Sequence, residues 1–284
     1  MGGLDMRADR KRRSVGRIAI YAALILLSLL NVFPFFWMLR SSFMTKNEIF
    51  AQPMRWLPKT FLVQNYSEAL IRVPFMRYFL NSLLVVAVNL VGKVLSSSLV
   101  AFGFARIDFK GKNLCFAIVI ATMMIPWSVL LIPQFILWSR AGLYNTYWPL
   151  TLPSFFLDAF YIFMLRQFFQ TLPLDYDEAA RIDGAGYFRI YWRIVLPLSK
   201  PALMTVGVFT FMNTWNDFMG PLIYLKDSYK YTVSLGLQQF INQYTTEWHL
   251  MMAAATVTII PMIIVFFFAQ RYFIEGITFT GIKG

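Results

Sequence analysis

Residues 178–185 read Glu-Ala-Ala-Arg-Ile-Asp-Gly-Ala, and residues 194–198 read Ile-Val-Leu-Pro-Leu. Glu178 places a carboxylate on a strongly helix-forming background. Ala179 and Ala180 leave a shallow surface that another protein can approach closely, and Asp183 with Gly184 allows the chain to change direction. That is the chemistry of docking rather than of bond cleavage, and no catalytic residue is assigned. Upstream, Leu172, Pro173, Leu174 and Asp175 open a helix. Asp175 is placed to accept from the backbone near Glu178 while Glu178 reaches back, a variant of the capping box. Residues 187–195 continue helically after the turn, and Pro197 and Pro201 mark its end. The residues by themselves also fit an ordinary surface helix–turn–helix in which Glu178 is only a cap.

Three charged residues fall inside apolar stretches: Lys93, Asp158 and Asp217. Charge at bilayer depth is costly, commonly lines a cavity, and marks candidate function. Lys93, near Ser96, Ser97 and Ser98, either serves a translocation path or helix pairing, or snorkels. Asp158 lies among aromatic residues and could pair with Lys93, each charge offsetting the other's burial. Trp215, Asn216 and Asp217 supply the stacking face, amide and carboxylate that sugars require. The same three residues would equally serve as helix–helix glue against a second membrane subunit. Trp127, Trp138 and Trp148, near span ends, read as interfacial anchors.

The elements that must position these groups are membrane-like. Of 284 residues, 58% are hydrophobic and 14% charged, with a mean hydropathy of +0.57. Soluble domains carry nearer a quarter charged residues. The 29 Phe suit a lipid-facing surface. A net charge of +12 could indicate nucleic acid, but the basic residues lie between apolar spans rather than on one polar face, so topology accounts for them and no nucleic-acid partner is expected. One cysteine, Cys115, and one histidine, His249, leave neither an intrachain disulfide nor a Cys- or His-based metal site.

A spanning helix needs roughly 20 mainly apolar residues. Six stretches meet or approach this: about 18–39, 79–105, 114–138, 147–168, 201–225 and 250–272. Pro34, Pro126, Pro133, Pro153, Pro221 and Pro261 fall within or at the ends of them; in membrane bundles neighbouring groups can satisfy the carbonyls that proline frees. With the N-terminus inside, 16 of the 26 Lys and Arg fall on the inner side and nine on the outer, with Lys93 within a span. That bias favours both termini in the cytoplasm. The expected organisation is a basic N-terminal segment (1–17), a first span (18–39), an outer segment (40–78), a five-span core (79–272) containing the loop at about 173–198, and a cytoplasmic tail (273–284). Asn65 or Ser67 is placed to cap a short interfacial helix leading into the second span.

Glu178, Ala179, Ala180, Asp183, Gly184 and residues 194–198, at this spacing between the fourth and fifth of six spans, resemble the EAA loop of bacterial ABC-transporter permeases. Residues 81–85 and 101–106 resemble the start of the permease core, as do Met123, Met124, Ile125 and Pro126. Residues 214–218 with Pro221, Leu222 and Ile223 are similar to the carbohydrate-uptake subgroup, as are residues 270–276 and 281–284. The resemblance is to MalG-like, binding-protein-dependent permeases and covers most of the chain from about residue 60. It implies an all-α polytopic membrane protein with the type I importer permease fold in the cell membrane of a bacterium or archaeon. It implies that Glu178, Ala179, Ala180, Asp183 and Gly184 form a coupling helix seated in a cleft of an ATPase, Glu178 facing a basic group. The partners implied are a second, MalF-like permease, an ATP-binding subunit dimer that holds ATP and Mg, an extracytoplasmic solute-binding protein and a sugar substrate. The tail at 276–284 would reach the ATPase interface and the outer segment at 226–247 the binding protein.

No Gly-x-x-x-x-Gly-Lys-Ser/Thr phosphate loop occurs, so no cofactor is expected in this chain. An ion-coupled secondary transporter would be expected to show inverted repeats with paired discontinuous helices. A membrane enzyme would want His or carboxylate clusters near one face. Neither pattern is present in the sequence. The solute stays open between a sugar and, for example, a glycerol phosphate ester.

Overall fold

The computed structural model describes residues 2–156, 158–241 and 246–278, with side chains described from residue 17 to 270 except at residue 19. The expectations placed on the side chains before residue 17 and after residue 270, and on residues 279–284, lie outside what is described. All named elements are helical. Four stretches are long and apolar enough to cross a membrane: Ile20–Ser42, Phe75–Arg106, Trp148–Thr171 and Trp248–Gln270. Two bent pairs bring the number to six if each pair is one span: Lys112–Thr122 with Trp127–Arg140, bent by 92°, and Tyr187–Leu198 with Lys200–Trp215, bent by 78°.

The chain forms two compact units. The first holds residues 1–69 and 240–257. Its long helix α1 (Gly2–Ser42) is apolar all round from Ile20, with Leu24, Ile25, Leu29 and Leu30 all more than half exposed. A helix without a polar face suits lipid rather than water. After α1, Thr45 and Glu48 cap the single turn α2 (Lys46–Ile49) reciprocally. Helix α3 (Gln64–Arg72) follows. Neither Asn65 nor Ser67 is its N-cap. Asn65 is buried within the helix, and its Nδ2 donates to the carbonyls of Ser42 and Met44, both at 2.9 Å. The amide closes the turn at the end of α1 instead of the start of α3.

The second unit holds residues 70–239 and 258–284 and is built around α4 (Phe75–Arg106). Its buried positions Tyr78, Ser82, Val85, Asn89 and Gly92 recur at three- and four-residue spacing, the stripe of one helix face. α4 packs chiefly against α8 (Ala159–Thr171) and α12 (Lys200–Trp215). Around them lie α5 (Lys112–Thr122) and α6 (Trp127–Arg140), the single turn α7 (Trp148–Thr151), α9 (Asp175–Ile182), the short helices α10 (Tyr187–Ile190) and α11 (Leu196–Leu198), α13 (Met219–Tyr224) and α14 (Val233–Gly236). Helix α15 (Trp248–Thr278) ends the described chain.

Three of the expected spans are interrupted where their sequence departs from a plain apolar run. The third breaks at residues 123–126, because Pro126 disfavours helix at the residue before it. In the fourth, the 3₁₀ turn Leu152–Phe155 and the extended residues Phe156 and Asp158 interrupt the helix. In the fifth, helix ends at Trp215 and resumes at Met219.

Candidate functional site

Breaks in a membrane-depth helix free backbone carbonyls that need partners. Helix α4 supplies them. Asn81 Nδ2 donates to the carbonyls of Tyr229 and Tyr231 at 2.9 and 3.0 Å. Asn89 Nδ2 donates to the Leu150 carbonyl at 3.1 Å and to Thr214 Oγ1 at 3.3 Å. Ser96 Oγ donates to the carbonyls of Ser154 and Phe156 at 3.1 and 3.2 Å, holding the break in the fourth stretch. Lys93 Nζ pairs with Asp158 Oδ2 beside the same break. Asp158 Oδ1 also accepts from the Tyr161 N–H, which caps α8. One helix therefore carries a ladder of polar side chains, each bonded to a different neighbour.

Beside this ladder lies a cavity of about 700 Å³ lined by Asn89, Lys93, Trp127, Gln134, Asn213, Asn216 and Asp217 among others. Its wall combines amides, a carboxylate, a paired ammonium and an indole. Asp217 Oδ1 accepts from the Gly220 N–H at 3.0 Å and so shapes the turn into α13. Gly220 is required there, since an added Cβ would fall 2.4 Å from Asp217 Oδ2. Amides and carboxylates bind hydroxyl groups bidentately, and an indole stacks on a sugar's apolar face, so this lining suits a polyhydroxylated solute.

The helix–turn–helix expected at 173–198 forms α9, a turn and α10. Asp175 is not its cap. The helix begins one residue earlier than a capping aspartate would require, with Leu174 at the N-cap and no side-chain cap bond. The N–H groups of Asp177 and Glu178 go to the Leu174 carbonyl at 2.9 and 3.0 Å. Its end is closed by glycine: Gly184 has φ +75°, its N–H reaches the Arg181 carbonyl at 3.0 Å, and the Ala185 N–H reaches Ala180 at 2.9 Å. That is the Schellman arrangement, which needs the left-handed residue. Beyond α10 a π-helical turn, Tyr191–Val195, leads into α11. The Tyr191 hydroxyl meets Ser98 Oγ at 2.9 Å and its ring packs against Phe102, both on α4.

Within 175–186 one side chain is buried, that of Asp177. Glu178, Ala179, Asp183 and Gly184 are exposed, and Ala180 is half-buried. Asp177 Oδ2 lies 3.4 Å from Arg106 Nε at the end of α4, with both side chains almost wholly enclosed. A second nitrogen of Arg106 donates to the Leu172 carbonyl at 2.9 Å.

The structure thus brings Lys93, Asp158, Asn216 and Asp217 to one region and keeps the 178–184 cluster on an exposed helix and turn. Trp215 does not line the cavity. Its ring is 1% exposed, stacked on Phe211 and edge-on to Phe79, and its Nε1 donates to the Thr258 carbonyl at 3.1 Å. The ring is enclosed and its N–H is used, which makes it a strut for α12. Trp127, read as an interfacial anchor, is the first residue of α6 after the break at 123–126 and also lines the cavity. Asn89, Gln134 and Asn213 were not singled out by sequence. Asn81, Asn89, Lys93 and Ser96 fall at near-helical intervals along one apolar run, and that spacing is the signal that could have found Asn89.

Residues 93–278 match the family described as binding-protein-dependent transport system inner membrane component. The chain is 34% identical over 283 residues to the probable ABC transporter permease protein YurM of Bacillus subtilis (strain 168), covering 97% of this chain and 92% of that one. It is 34% identical to the arabinooligosaccharides transport system permease protein AraQ of the same organism, covering 95% and 97%. It is 33% identical to the sn-glycerol-3-phosphate transport system permease protein UgpE of Brucella abortus (strain 2308), covering 95% and 99%. Among solved structures, a chain of a bacterial ABC transporter involved in the import of the acidic polysaccharide alginate superposes with a TM-score of 0.82 at 22% identity, covering 94% of this chain and 98% of that one; this is a likeness of fold.

Proposed function

Because the chain belongs to the family of binding-protein-dependent transport inner membrane components, among the ABC transporter permeases, we propose that it is the permease subunit of an ATP-driven importer that moves a sugar across the bacterial cell membrane. It crosses the membrane six times with both termini in the cytoplasm: the bent pair Lys112–Thr122 with Trp127–Arg140 is the third span, Lys200–Trp215 with Met219–Tyr224 is the fifth, and Tyr187–Leu198 belongs to the coupling loop. Its companions are a second, MalF-like permease, a dimer of ATP-binding subunits that carries ATP and Mg, and an extracytoplasmic solute-binding protein. Glu178, Ala179, Ala180, Asp183 and Gly184 seat in a cleft of the ATPase. Closure of the ATP-bound dimer draws the coupling helices together and rocks the two permeases from inward-open to outward-open, a rigid-body change biased by a ligand bound elsewhere.

The observation that carries this reading is the form of the 173–198 segment. It is a glycine-closed helix whose outer face is exposed while its inner face is tied to α4. A solute path along Asn89, Lys93, Asp158, Asn213, Asn216 and Asp217 is supported by the cavity they border or brace. The similarity to a glycerol 3-phosphate permease favours an anionic ester as the second reading. Lys93 is the cation such an ester would use, but Asp158 already holds it and Asp217 adds a further carboxylate. That balance supports a neutral saccharide.

The test is Glu178→Lys in the complete transporter reconstituted in proteoliposomes. Uptake and the stimulation of ATP hydrolysis by liganded binding protein are both expected to disappear while the chain stays inserted. Uptake at the parent rate removes the coupling assignment.

A further inference from the structure

An eight-residue helix is too short to be stable by itself in water, so whatever moves α9 can move the bundle only through α9's own attachments. Those attachments are few. Between residues 175 and 186 the sole buried side chain is the carboxylate of Asp177, flanked by the half-buried methyl groups of Ala180 and Ala185. The partner of that carboxylate is Arg106, the last residue of α4, and the same guanidinium holds the Leu172 carbonyl at the end of α8. A single side chain therefore joins three elements: the end of α4, the exit from α8 and the first turn of α9. On the far side of the loop, Tyr191 is held by Ser98 and packs on Phe102, again residues of α4.

We propose that the Arg106–Asp177 pair is the joint through which displacement of the coupling helix is delivered to α4, and that α4 carries it to the wall of the cavity. The inference rests on the coupling role assigned above to the 178–184 cluster. From Arg106 to Asn89 is 17 residues of unbroken helix, about 25 Å at 1.5 Å per residue. Over that length α4 passes Ser96, Lys93 and Asn89, whose partners Ser154, Asp158, Leu150 and Thr214 belong to the broken fourth stretch and to α12. A push at Arg106 thus arrives where two interrupted segments border the cavity. The pair is not saturated: Asp177 Oδ1 and Arg106 Nε make no aligned hydrogen bond among the described residues. The contact shown is ionic, at 3.4 Å.

Replacing a buried ion pair by apolar groups of similar volume often leaves stability intact, which separates transmission from folding. The experiment uses the whole transporter with Cys115→Ser and Asn213→Cys, reading the rate at which N-ethylmaleimide labels position 213 with and without ATP plus vanadate. The parent is expected to change its labelling rate by about fivefold or more on trapping, the lower end of ordinary allosteric coupling. The double variant Arg106→Met, Asp177→Leu is expected to assemble and trap nucleotide as the parent does, with most of that change lost. Asp177→Asn is expected to behave in the same way, and Asp177→Glu to restore the response. Retention of the full response in the double variant or in Asp177→Asn overturns the proposal. Failure of all pair variants to assemble, Asp177→Glu included, also overturns it, by assigning the pair to folding. Glu178→Lys distinguishes the underlying reading: a normal nucleotide response in that variant removes the coupling role itself, whereas a lost response there with a normal one in the pair variants removes only the joint.

Discussion

Gly184 combines a left-handed backbone, φ +75°, with open space around the position an added Cβ would take. Substitution by alanine therefore costs only the backbone penalty of that region, about 1–2 kcal/mol. If docking requires the turn, Gly184→Ala lowers the affinity of the solubilised permease pair for the ATPase subunits by about five- to thirtyfold, while Gly184→Asn, which tolerates this conformation, recovers most of it. Titration of the ATPase onto the permease pair checks this, and equal affinities for glycine and alanine would show that the turn is dispensable. Gly184 was legible in the sequence because glycine after a helical run has few other meanings. The closeness of Lys93 and Asp158 was legible too, since two opposite charges at bilayer depth each need a partner. Asp177 and Arg106 were not. An acid beside Glu178 on a polar helix reads as solvated, and nothing local reveals that it turns inward while Glu178 turns outward. Trp215 misled for the converse reason: residue type shows that an indole can stack on a sugar but not that the ring is already enclosed.

Helix α4 packs against most of the second unit, and at Gly92 it comes close to a neighbouring turn. A Cβ there would lie 2.3 Å from Ser154 Oγ and 3.0 Å from Phe155 Cδ2. Ser154 is buried and its hydroxyl is committed to the Thr151 carbonyl at 2.6 Å, so it has little room to move aside. Gly92→Ala is expected to destabilise by about 1–3 kcal/mol, the usual penalty of overpacking. Gly103→Ala on the same helix, with open space around its Cβ position, should be tolerated. The temperature at which the purified complex aggregates tests the pair; equal values for the two variants would mean that α4 does not sit tightly on the 3₁₀ turn. The long apolar runs located the four stretches that are long and apolar enough to cross a membrane, because hydropathy reports length in lipid. Their interruptions were harder to place. Pro126 marks one break, but the extended residues before α8 owe their form to Ser96 and Lys93, which reach them from a helix distant in sequence.

At the scale of the whole molecule, the proposed function divides the chain into a path and a handle. The path is a polar cavity walled by broken helices, and the handle is an exposed helix whose inward attachment runs through one enclosed ion pair. Under the proposed function, the work of concentrating a solute is delivered by the ATP-binding subunits. Family membership and full-length similarity to permeases agree with that division of labour. The most direct measurement is uphill accumulation of the solute retained by the cognate binding protein in proteoliposomes holding both permeases, with and without the ATPase subunits, under ATP or under an imposed proton or sodium gradient. Accumulation should require the ATPase and ATP together and be indifferent to the ion gradients. Accumulation driven by an ion gradient with the ATPase omitted would contradict the account.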